Sequence, residues 1–312
     1  MTSVVWDWLA AGGLDLPLPG SGRTAHRWHR LSELTEADVV AGRLAEAHTD
    51  AVAILAELHG PAPKPGQLWG VWAAESPDAA VVACGGGDDT RLSGTKAWCS
   101  GAGICTHALV TARIDDGHRG LFAVDLNADR VSPLPSDWRN AGMADADTRS
   151  VRFSDAPAVA VGAADEYLDR PGFWHGAVGV SACWLGGARA VAAPLYERGA
   201  DSSADPHALA HLGAVDAALA AAEATLQSAA SQIDADPMNT DGRAELIARR
   251  TRAVVESAVD EAIVRTGRAL GPAPLALNAA HAAKVADLTM YVRQSHAERD
   301  LARLGRLTSR FR

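Results

Sequence analysis

Cysteine is scarce in this sequence, and none of it is closely paired. The four cysteines show no C-x-x-C spacing: Cys84, Cys99, Cys105 and Cys183. Structural zinc sites and redox motifs usually carry such pairs, so the spacing argues against a metal site. In a reducing compartment, isolated thiols are also not expected to form disulfides. We therefore expect neither a metal nor a disulfide framework.

Positive charge and long apolar runs are also lacking. The formal net charge is −9 at pH 7, which disfavours nucleic acid as a partner. By inspection, no apolar run approaches the roughly 20 residues that span a bilayer. The N-terminus, MTSVVWDWLAAGG, lacks the basic flank and long apolar centre of a signal peptide. These absences predict a cytoplasmic protein that binds neither nucleic acid nor membrane.

The first of three compositional parts covers residues 1–65 and contains one amphipathic helix. Thr35 is the expected N-cap, with Asp38 at the third position after it, and apolar residues recur at helical spacing as far as Leu58. Gly60, Pro61 and the PAPKPG segment should stop the helix. This part is predicted to be a short helical N-terminal domain.

Residues 66–165 show short strand-like runs about ten residues apart. The runs are LWGVWAAE, AAVVACGGGDD, TRLSGTKAWC, HALVTARI, RGLFAVDL and SVRFSDAP. Such spacing is typical of an antiparallel barrel or sandwich. The glycine-rich residues 85–89 resemble a phosphate loop, but no helical pattern follows them. A hairpin turn is therefore the better interpretation.

Residues 166–312 have the composition of a helical bundle. Four helices are predicted, at about 172–198, 206–234, 241–270 and 275–306, separated by glycine and proline signals. Long antiparallel helices with short connections make an up-down bundle. From composition alone, the fold class is α+β in a chain long enough for two or three domains.

One stretch suggests a family. Residues 91–114, RLSGTKAWCSGAGICTHALVTARI, are followed about 30 residues later by TRSVRFSDAP. Together with the alanine-rich helices, they resemble the middle of the acyl-CoA dehydrogenase family. The resemblance implies a short helical N-terminus, a central antiparallel β-barrel and a C-terminal four-helix bundle. It also implies bound FAD between barrel and bundle, an acyl substrate such as a CoA thioester, and a homodimer or homotetramer.

The resemblance implies several flavin contacts in the central part. Trp98 corresponds to the tryptophan beside the flavin, and Cys99 and Ser100 to the backbone and hydroxyl that bond its ring. Trp72 and Ala73, in VWAAES, correspond to a segment whose backbone contacts the pyrimidine edge. That segment lacks the family's threonine. Trp98 as a barrel core residue and VWAAES as a plain strand remain open alternatives.

Further contacts are implied in the bundle. Arg198 takes the place of an arginine that reaches the cofactor of a neighbouring subunit, with His207 or His211 in place of a glutamine. Gly271 lies where the family has a turn near the adenosine end of FAD, and Arg293 near its phosphates. The alternative for Arg293 is a solvated helix face. The paired Arg299 and Asp300 are predicted to form a structural ion-pair junction.

The first bundle helix, at 172–199, is rich in small residues, including Gly179, Gly186 and Gly187. Each interior glycine costs a helix about 1 kcal/mol relative to alanine, so their number suggests a steric reason. Three steric reasons are possible: the close approach of a flavin face, of a thin acyl chain or of another helix.

The expected catalytic base is missing. Removal of an α-proton from an acyl thioester requires a carboxylate in a dry pocket. Neither position at which the family keeps this carboxylate holds one here. The remaining candidates are Glu298 and, near the start of the first bundle helix, His175.

Three functions are therefore compatible with the sequence. The first is an FAD-dependent oxidoreductase acting on an acyl thioester or related small acyl substrate. The second is a degenerate homologue that acts as a partner subunit or binding protein. The third is a flavin monooxygenase of the same fold, which needs no thioester base.

Overall fold

The structure is a computed structural model that describes residues 3–77, 79–114 and 117–311. Ten α-helices occur in these residues: α1 (Ser3–Ala10), α2 (Thr24–Ala37), α3 (Val39–Glu57), α4 (Glu166–Asp169), α5 (Gly172–Gly199), α6 (Pro206–Ala235), α7 (Ala244–Leu270), α8 (Ala273–Leu277), α9 (Ala279–Tyr291) and α10 (Glu298–Arg310). The same residues form eight strands: β1 (Trp69–Trp72), β2 (Val81–Cys84), β3 (Arg91–Cys99), β4 (His107–Arg113), β5 (Arg119–Asp125), β6 (Val131–Pro133), β7 (Arg149–Pro157) and β8 (Val159–Val161).

The chain forms two compact units. The first comprises the chain up to Leu16 together with Leu44–Arg139 and Ala144–Phe173, and it contains the sheet. The second comprises Pro17–Arg43, Asn140–Met143 and the chain from Trp174 onward, and it contains α2 and the long helices. Each unit interleaves segments that are distant in sequence, whereas composition predicts three consecutive domains. That three-part division stays a prediction.

The strands form one mixed sheet. Its order is β6-β7-β3-β2-β4-β5-β8, with β1 also paired to β4. The pairs β1–β4 and β2–β4 are parallel and the others antiparallel. Among the described residues the strand path does not close on itself, so the predicted antiparallel barrel is not confirmed. The mixed α+β class is confirmed, and the glycine-rich residues 85–89 connect the antiparallel pair β2–β3 as predicted.

The sheet is buried on both faces, and alternate residues of a strand therefore enter different cores. Val110 packs with Trp72, Leu92 and Phe153 in one cluster. Its neighbour Leu109 packs on the opposite side with residues of α3 and with Trp69, Leu121 and Val161. This two-residue alternation is the expected geometry of a strand.

The predicted N-cap of the N-terminal helix is wrong. Thr35 lies inside α2, where its hydroxyl donates to the carbonyl of Leu31 at 2.9 Å. Asp38 breaks the helix between α2 and α3, and its carboxylate accepts from the backbone N–H of Ala41 at 2.8 Å. Asp38 therefore caps α3, because it is the residue with an extended backbone at the junction.

The helices of the second unit follow the prediction as far as α7. The predicted helix at 275–306 is instead broken into α8, α9 and α10, with a 3₁₀ turn at Val292–Gln294. Asn278 caps α9 by accepting from the backbone N–H of His281 at 3.1 Å. Ala297, with φ of 43°, precedes α10.

Two helices, Gly172–Gly199 and Pro206–Ala235, are long and apolar enough to cross a membrane by length and composition. This corrects the expectation that no apolar run approaches that length. The apolar window of α5 is 78% buried inside the protein, as in the core helix of a soluble protein, whereas that of α6 is 22% buried. Most of the apolar window of α6 is therefore exposed on the described part of the chain.

Candidate functional site

An irregularity near the end of β3 exposes Trp98. The pairing of β3 with β7 shifts register between Lys96 and Cys99. In a regular strand, residues two apart share a face. Here Lys96 is buried, whereas Trp98 is 59% exposed with a left-handed φ of 61°. A bulge of this kind redirects a side chain, so Trp98 is not a core residue.

The exposed indole of Trp98 has an aromatic neighbour, Trp138, in the first unit. The ring of Trp138 meets it edge to face, with centroids 6.4 Å apart. Sequence reasoning missed Trp138, which lies outside the strand pattern in the segment after β6. The two rings present an apolar aromatic surface beside the bulge.

Two hydroxyl groups lie just beyond Trp98. The Ser100 hydroxyl is 3.0 Å from that of Thr148, which immediately precedes β7. Each hydroxyl has one hydrogen to donate, and their mutual bond uses only one of the two. The other hydrogen remains available to a ligand acceptor, so the pair fits the hydroxyl role expected of Ser100.

The other predicted contacts in this unit support the bulge from within. Trp72 is buried, and its indole N–H donates to the carbonyl of Ser100 at 2.9 Å. Ala73, half-buried, follows it at the end of β1. Cys99 is buried with its thiol 3.3 Å from the carbonyl of Lys96, and burial raises the pKa of this thiol strongly. Cys99 is therefore an inert packing residue at neutral pH.

A charged cluster lies behind the bulge. The ammonium of Lys96 donates to Oε1 of Glu75 at 3.0 Å and to the hydroxyl of Thr111 at 2.7 Å. The other oxygen of Glu75 is 3.7 Å from the guanidinium of Arg119. Burial lowers the pKa of Lys96, against the opposing effect of Glu75. Burial would raise the pKa of Glu75, but the bond from Lys96 and the nearby cations bring it below its ordinary value.

The glycines of α5 accommodate other helices. A Cβ on Gly186 would overlap the backbone carbonyl of Ser32 in α2, and one on Gly187 would lie 2.7 Å from Leu288 in α9. A Cβ on Gly179 would lie 3.7 Å from Trp28 of α2. Helix packing therefore accounts for Gly186 and Gly187, whereas at Gly179 a Cβ would make only an ordinary contact.

A cavity of about 310 Å³ lies among α2, α5 and α6 in the second unit. Its apolar wall includes Trp28, Leu185 and Leu226, and its charged groups pair with each other, Arg189 with Glu223 at 2.9 Å. This volume is at the lower end for small-molecule sites.

The cofactor residues predicted in the bundle lie on different elements of the second unit. Arg198 is exposed in the last turn of α5, and Gly271 ends α7 with a φ of 69°. Arg293 is exposed, and its guanidinium is 3.2 Å from the carboxylate of Asp260. The alternative positions His207 and His211 lie in the first turns of α6.

The two candidate bases lie at one end of the second unit. Arg249 stacks over the ring of Trp174, the residue that precedes His175 in the sequence. The same guanidinium bonds Asp300 at 2.8 Å, and Asp300 follows Glu298 by two residues. His175 is buried, whereas Glu298 is exposed at the start of α10. An exposed carboxylate lacks the dry surroundings that a thioester base requires. The ion-pair junction was predicted for Arg299 and Asp300, but the structure pairs Asp300 with Arg249 instead.

No protein-family model matches this sequence, and no curated protein matches it. Solved structures do match. FMN-bound TdsC, a dibenzothiophene monooxygenase from Paenibacillus sp. A11-2, gives a TM-score of 0.80 at 19% identity, over 93% of this chain and 84% of that chain. Methanesulfinate monooxygenase MsuC from Pseudomonas fluorescens gives 0.74 at 15% identity, over 97% and 94%. Butyryl-CoA dehydrogenase from Megasphaera elsdenii gives 0.76 at 16% identity, over 89% and 80%.

These similarities establish the fold. The chain has the architecture that acyl-CoA dehydrogenases share with a group of flavin monooxygenases, as the resemblance in sequence implied. At identities below 20% the similarity establishes no reaction and no ligand.

Proposed function

We propose that this protein is a flavin-dependent oxidoreductase that holds the flavin ring against the bulge at Trp98–Ser100. The observation that carries the proposal is the bulge itself, because it exposes a large indole and sets a hydroxyl pair beside it. The fold is shared with FMN-bound TdsC and with butyryl-CoA dehydrogenase, which supports a flavin as the ligand.

The residues at the bulge fit a flavin. Its ring system is flat and apolar with a polar edge, and the Trp98 indole and the Ser100–Thr148 hydroxyls offer matching surfaces. We propose FAD as the form bound. Gly271 near its adenosine end, Arg293 near its phosphates and Arg198 at the cofactor of a neighbouring subunit remain predictions from the sequence. When bound, the flavin supplies two-electron redox chemistry, and the protein supplies orientation and hydrogen bonds that tune it.

Binding is tested with the purified protein. We expect a yellow protein that releases flavin on denaturation, or an apoprotein whose tryptophan fluorescence is quenched saturably by FAD and less strongly by FMN. Trp98→Phe should weaken binding, whereas Trp174→Phe, in the second unit, should not. A colourless protein that binds neither flavin would favour the alternative of a partner subunit or binding protein.

For the reaction, our first proposal is oxidation of an acyl thioester or a related small acyl substrate. The flavin monooxygenase reaction is the second candidate, and a specific observation favours it. Glu298 is exposed and His175 is not a carboxylate, so neither supplies a carboxylate in dry surroundings. The second candidate therefore predicts little ordinary acyl-CoA dehydrogenase activity, because loss of a general base typically costs about 10²–10⁴-fold in rate.

The two reactions are separated by anaerobic mixing of the flavin-loaded protein with saturated acyl-CoA thioesters. Bleaching that is lost in Glu298→Gln or in His175→Ala would identify the base. Bleaching that survives both would place the base elsewhere and contradict the second candidate. No bleaching, combined with substrate-dependent oxygen consumption by the reduced flavin protein, would support the monooxygenase.

A further inference from the structure

A buried ammonium group lies directly behind the bulge. The side chain of Lys96 is 3% exposed, and it donates to Glu75 Oε1 at 3.0 Å, to the Thr111 hydroxyl at 2.7 Å and to the Thr111 carbonyl at 3.0 Å. A lysine has three N–H donors, so all of them are used. A charge buried this completely is unfavourable unless it is paired and hydrogen-bonded, as it is here.

The partners of Lys96 connect three parts of the first unit. Lys96 is the last residue of β3 in regular register with β7, where it pairs with Val151. Thr111 lies on the neighbouring β4, and Glu75 lies three residues after the end of β1. The side chain therefore ties the start of the bulge to the segment in which flavin contacts are proposed at Trp72 and Ala73.

A second hydrogen bond fixes the other side of the bulge. The Trp72 indole donates to the Ser100 carbonyl at 2.9 Å. Between these two contacts, the thiol of Cys99 donates to the carbonyl of Lys96 at 3.3 Å, which bonds the two ends of the bulge to each other. Residues 97–99 thus span a gap whose two ends are both fixed to the β1 segment.

We infer that Lys96 and Glu75 are positioning residues that fix the bulge and so set the orientation in which Trp98 and Ser100 meet a bound flavin. Neither side chain needs to touch the ligand. The identity of the ligand rests on the proposed function, whereas the fixing of the bulge does not.

A matched pair elsewhere in the unit separates positioning from general stability. Arg170 is also 3% exposed and pairs with Glu57 at 2.5 Å, and this carboxylate is 31% exposed, close to the 35% of Glu75. Arg170 and Glu57 have no recorded bond to residues 96–100. Arg170→Met therefore removes a comparable buried cation without touching the bulge.

The test compares Lys96→Met with Arg170→Met in protein labelled with 5-fluorotryptophan. The fluorine spectrum should show one resonance for each of the nine tryptophans, and Trp98→Phe identifies that of Trp98. We expect Lys96→Met to shift or broaden the Trp98 resonance and Arg170→Met to leave it unchanged. FAD and FMN dissociation constants should rise about tenfold in Lys96→Met relative to Arg170→Met, as expected when a contact is misplaced by a fraction of an ångström.

The inference is overturned if the Trp98 resonance of Lys96→Met is unchanged, or if it moves equally in both variants. Should Lys96→Met fail to fold, Glu75→Gln gives the same readout while Lys96 keeps both bonds to Thr111. If the wild type binds neither flavin, the proposed function fails, but the comparison of resonances still decides whether Lys96 fixes the bulge.

Discussion

At the residue scale, Trp98 is held in a conformation that a tryptophan rarely adopts. A left-handed backbone at a residue other than glycine costs on the order of 1 kcal/mol or more, and it persists only where neighbouring contacts impose it. Here those contacts come from the buried Lys96 on one side and from Ser100 on the other. Strain of this kind often marks a ligand-contacting surface, which agrees with the proposed site.

Ser100→Ala should weaken flavin binding by about 1 kcal/mol, because it removes one hydroxyl that can bond the ring. The control is Ser93→Ala on the same strand, where the hydroxyl accepts from the backbone N–H of Asp155 at 3.2 Å. Both dissociation constants are measured by fluorescence titration with FAD. An unchanged affinity in Ser100→Ala, or an equal loss in both variants, would remove the Ser100 hydroxyl from the site.

At the element scale, the contact between α2 and α5 depends on Gly186. Gly186→Ala should destabilise the protein by about 1–3 kcal/mol, because the new methyl group would overlap the backbone of Ser32 in a packed interface. Gly305→Ala, on α10, meets no atom within 4 Å and should stabilise it by up to about 1 kcal/mol through helix propensity. Urea unfolding of the two variants measures both changes in the free energy of unfolding. If both variants were stabilised, or both destabilised, the packing described here would be contradicted.

The docking of α10 on α7 should depend on pH. The bond from Arg303, aided by Arg249, lowers the pKa of Glu245. Burial would raise the pKa of Asp300, but the His296 backbone N–H and Arg249 lower it overall. Both carboxyls therefore contribute stability that is present above about pH 4, the ordinary carboxyl range, and is lost as pH falls through the lowered values.

Hydrogen exchange of the amides of α10 measures this docking. We expect protection at neutral pH and its progressive loss as the pH falls below the ordinary carboxyl range. Glu245→Gln should increase exchange already at neutral pH. Glu261→Gln should not, since that carboxylate pairs with Arg265 within α7. Equal exchange in the two variants would show that the ionic contacts do not hold α10.

The same elements show what the sequence can predict. All six strand runs that we named contain a strand, because alternation and turn residues are local properties. The bulge at Trp98 was not predictable, since it arises from a register shift against β7, about 50 residues away in sequence. Asp38 replaced Thr35 as the cap because the junction between α2 and α3 depends on how both helices pack. Trp138 carried no motif and was found only through its ring contact.

At the scale of the whole molecule, the fold is more informative than any single motif, yet it leaves the reaction open. The same architecture carries dehydrogenases and monooxygenases in the matched structures. Function on a shared fold is decided by the groups at the site. Here a surface for the flavin ring is proposed at Trp98, whereas no candidate carboxylate lies in the dry surroundings that a thioester dehydrogenase needs. The monooxygenase reaction is therefore as plausible as thioester oxidation.

Assembly is the remaining property at this scale. The apolar window of α6 has a mean hydropathy of 1.2, yet only 22% of it is buried. Exposed small residues follow one face of this helix at steps of three, four and seven: Ala210, Gly213, Ala217, Ala221 and Ala224. A flat face of this kind allows close approach of another helix. We therefore propose that a second copy of the chain covers it, giving a homodimer or homotetramer.

Light scattering at micromolar concentration should show a dimer or tetramer for the wild type. The double variant Ala217→Arg and Ala221→Arg should reduce the mass to a smaller species, because two long charged side chains would separate the facing helices. Ala302→Arg, on the exposed side of α10, serves as the control and should leave the mass unchanged. A wild-type monomer would contradict the proposal, and an oligomer that survives the double variant would move the interface to another surface.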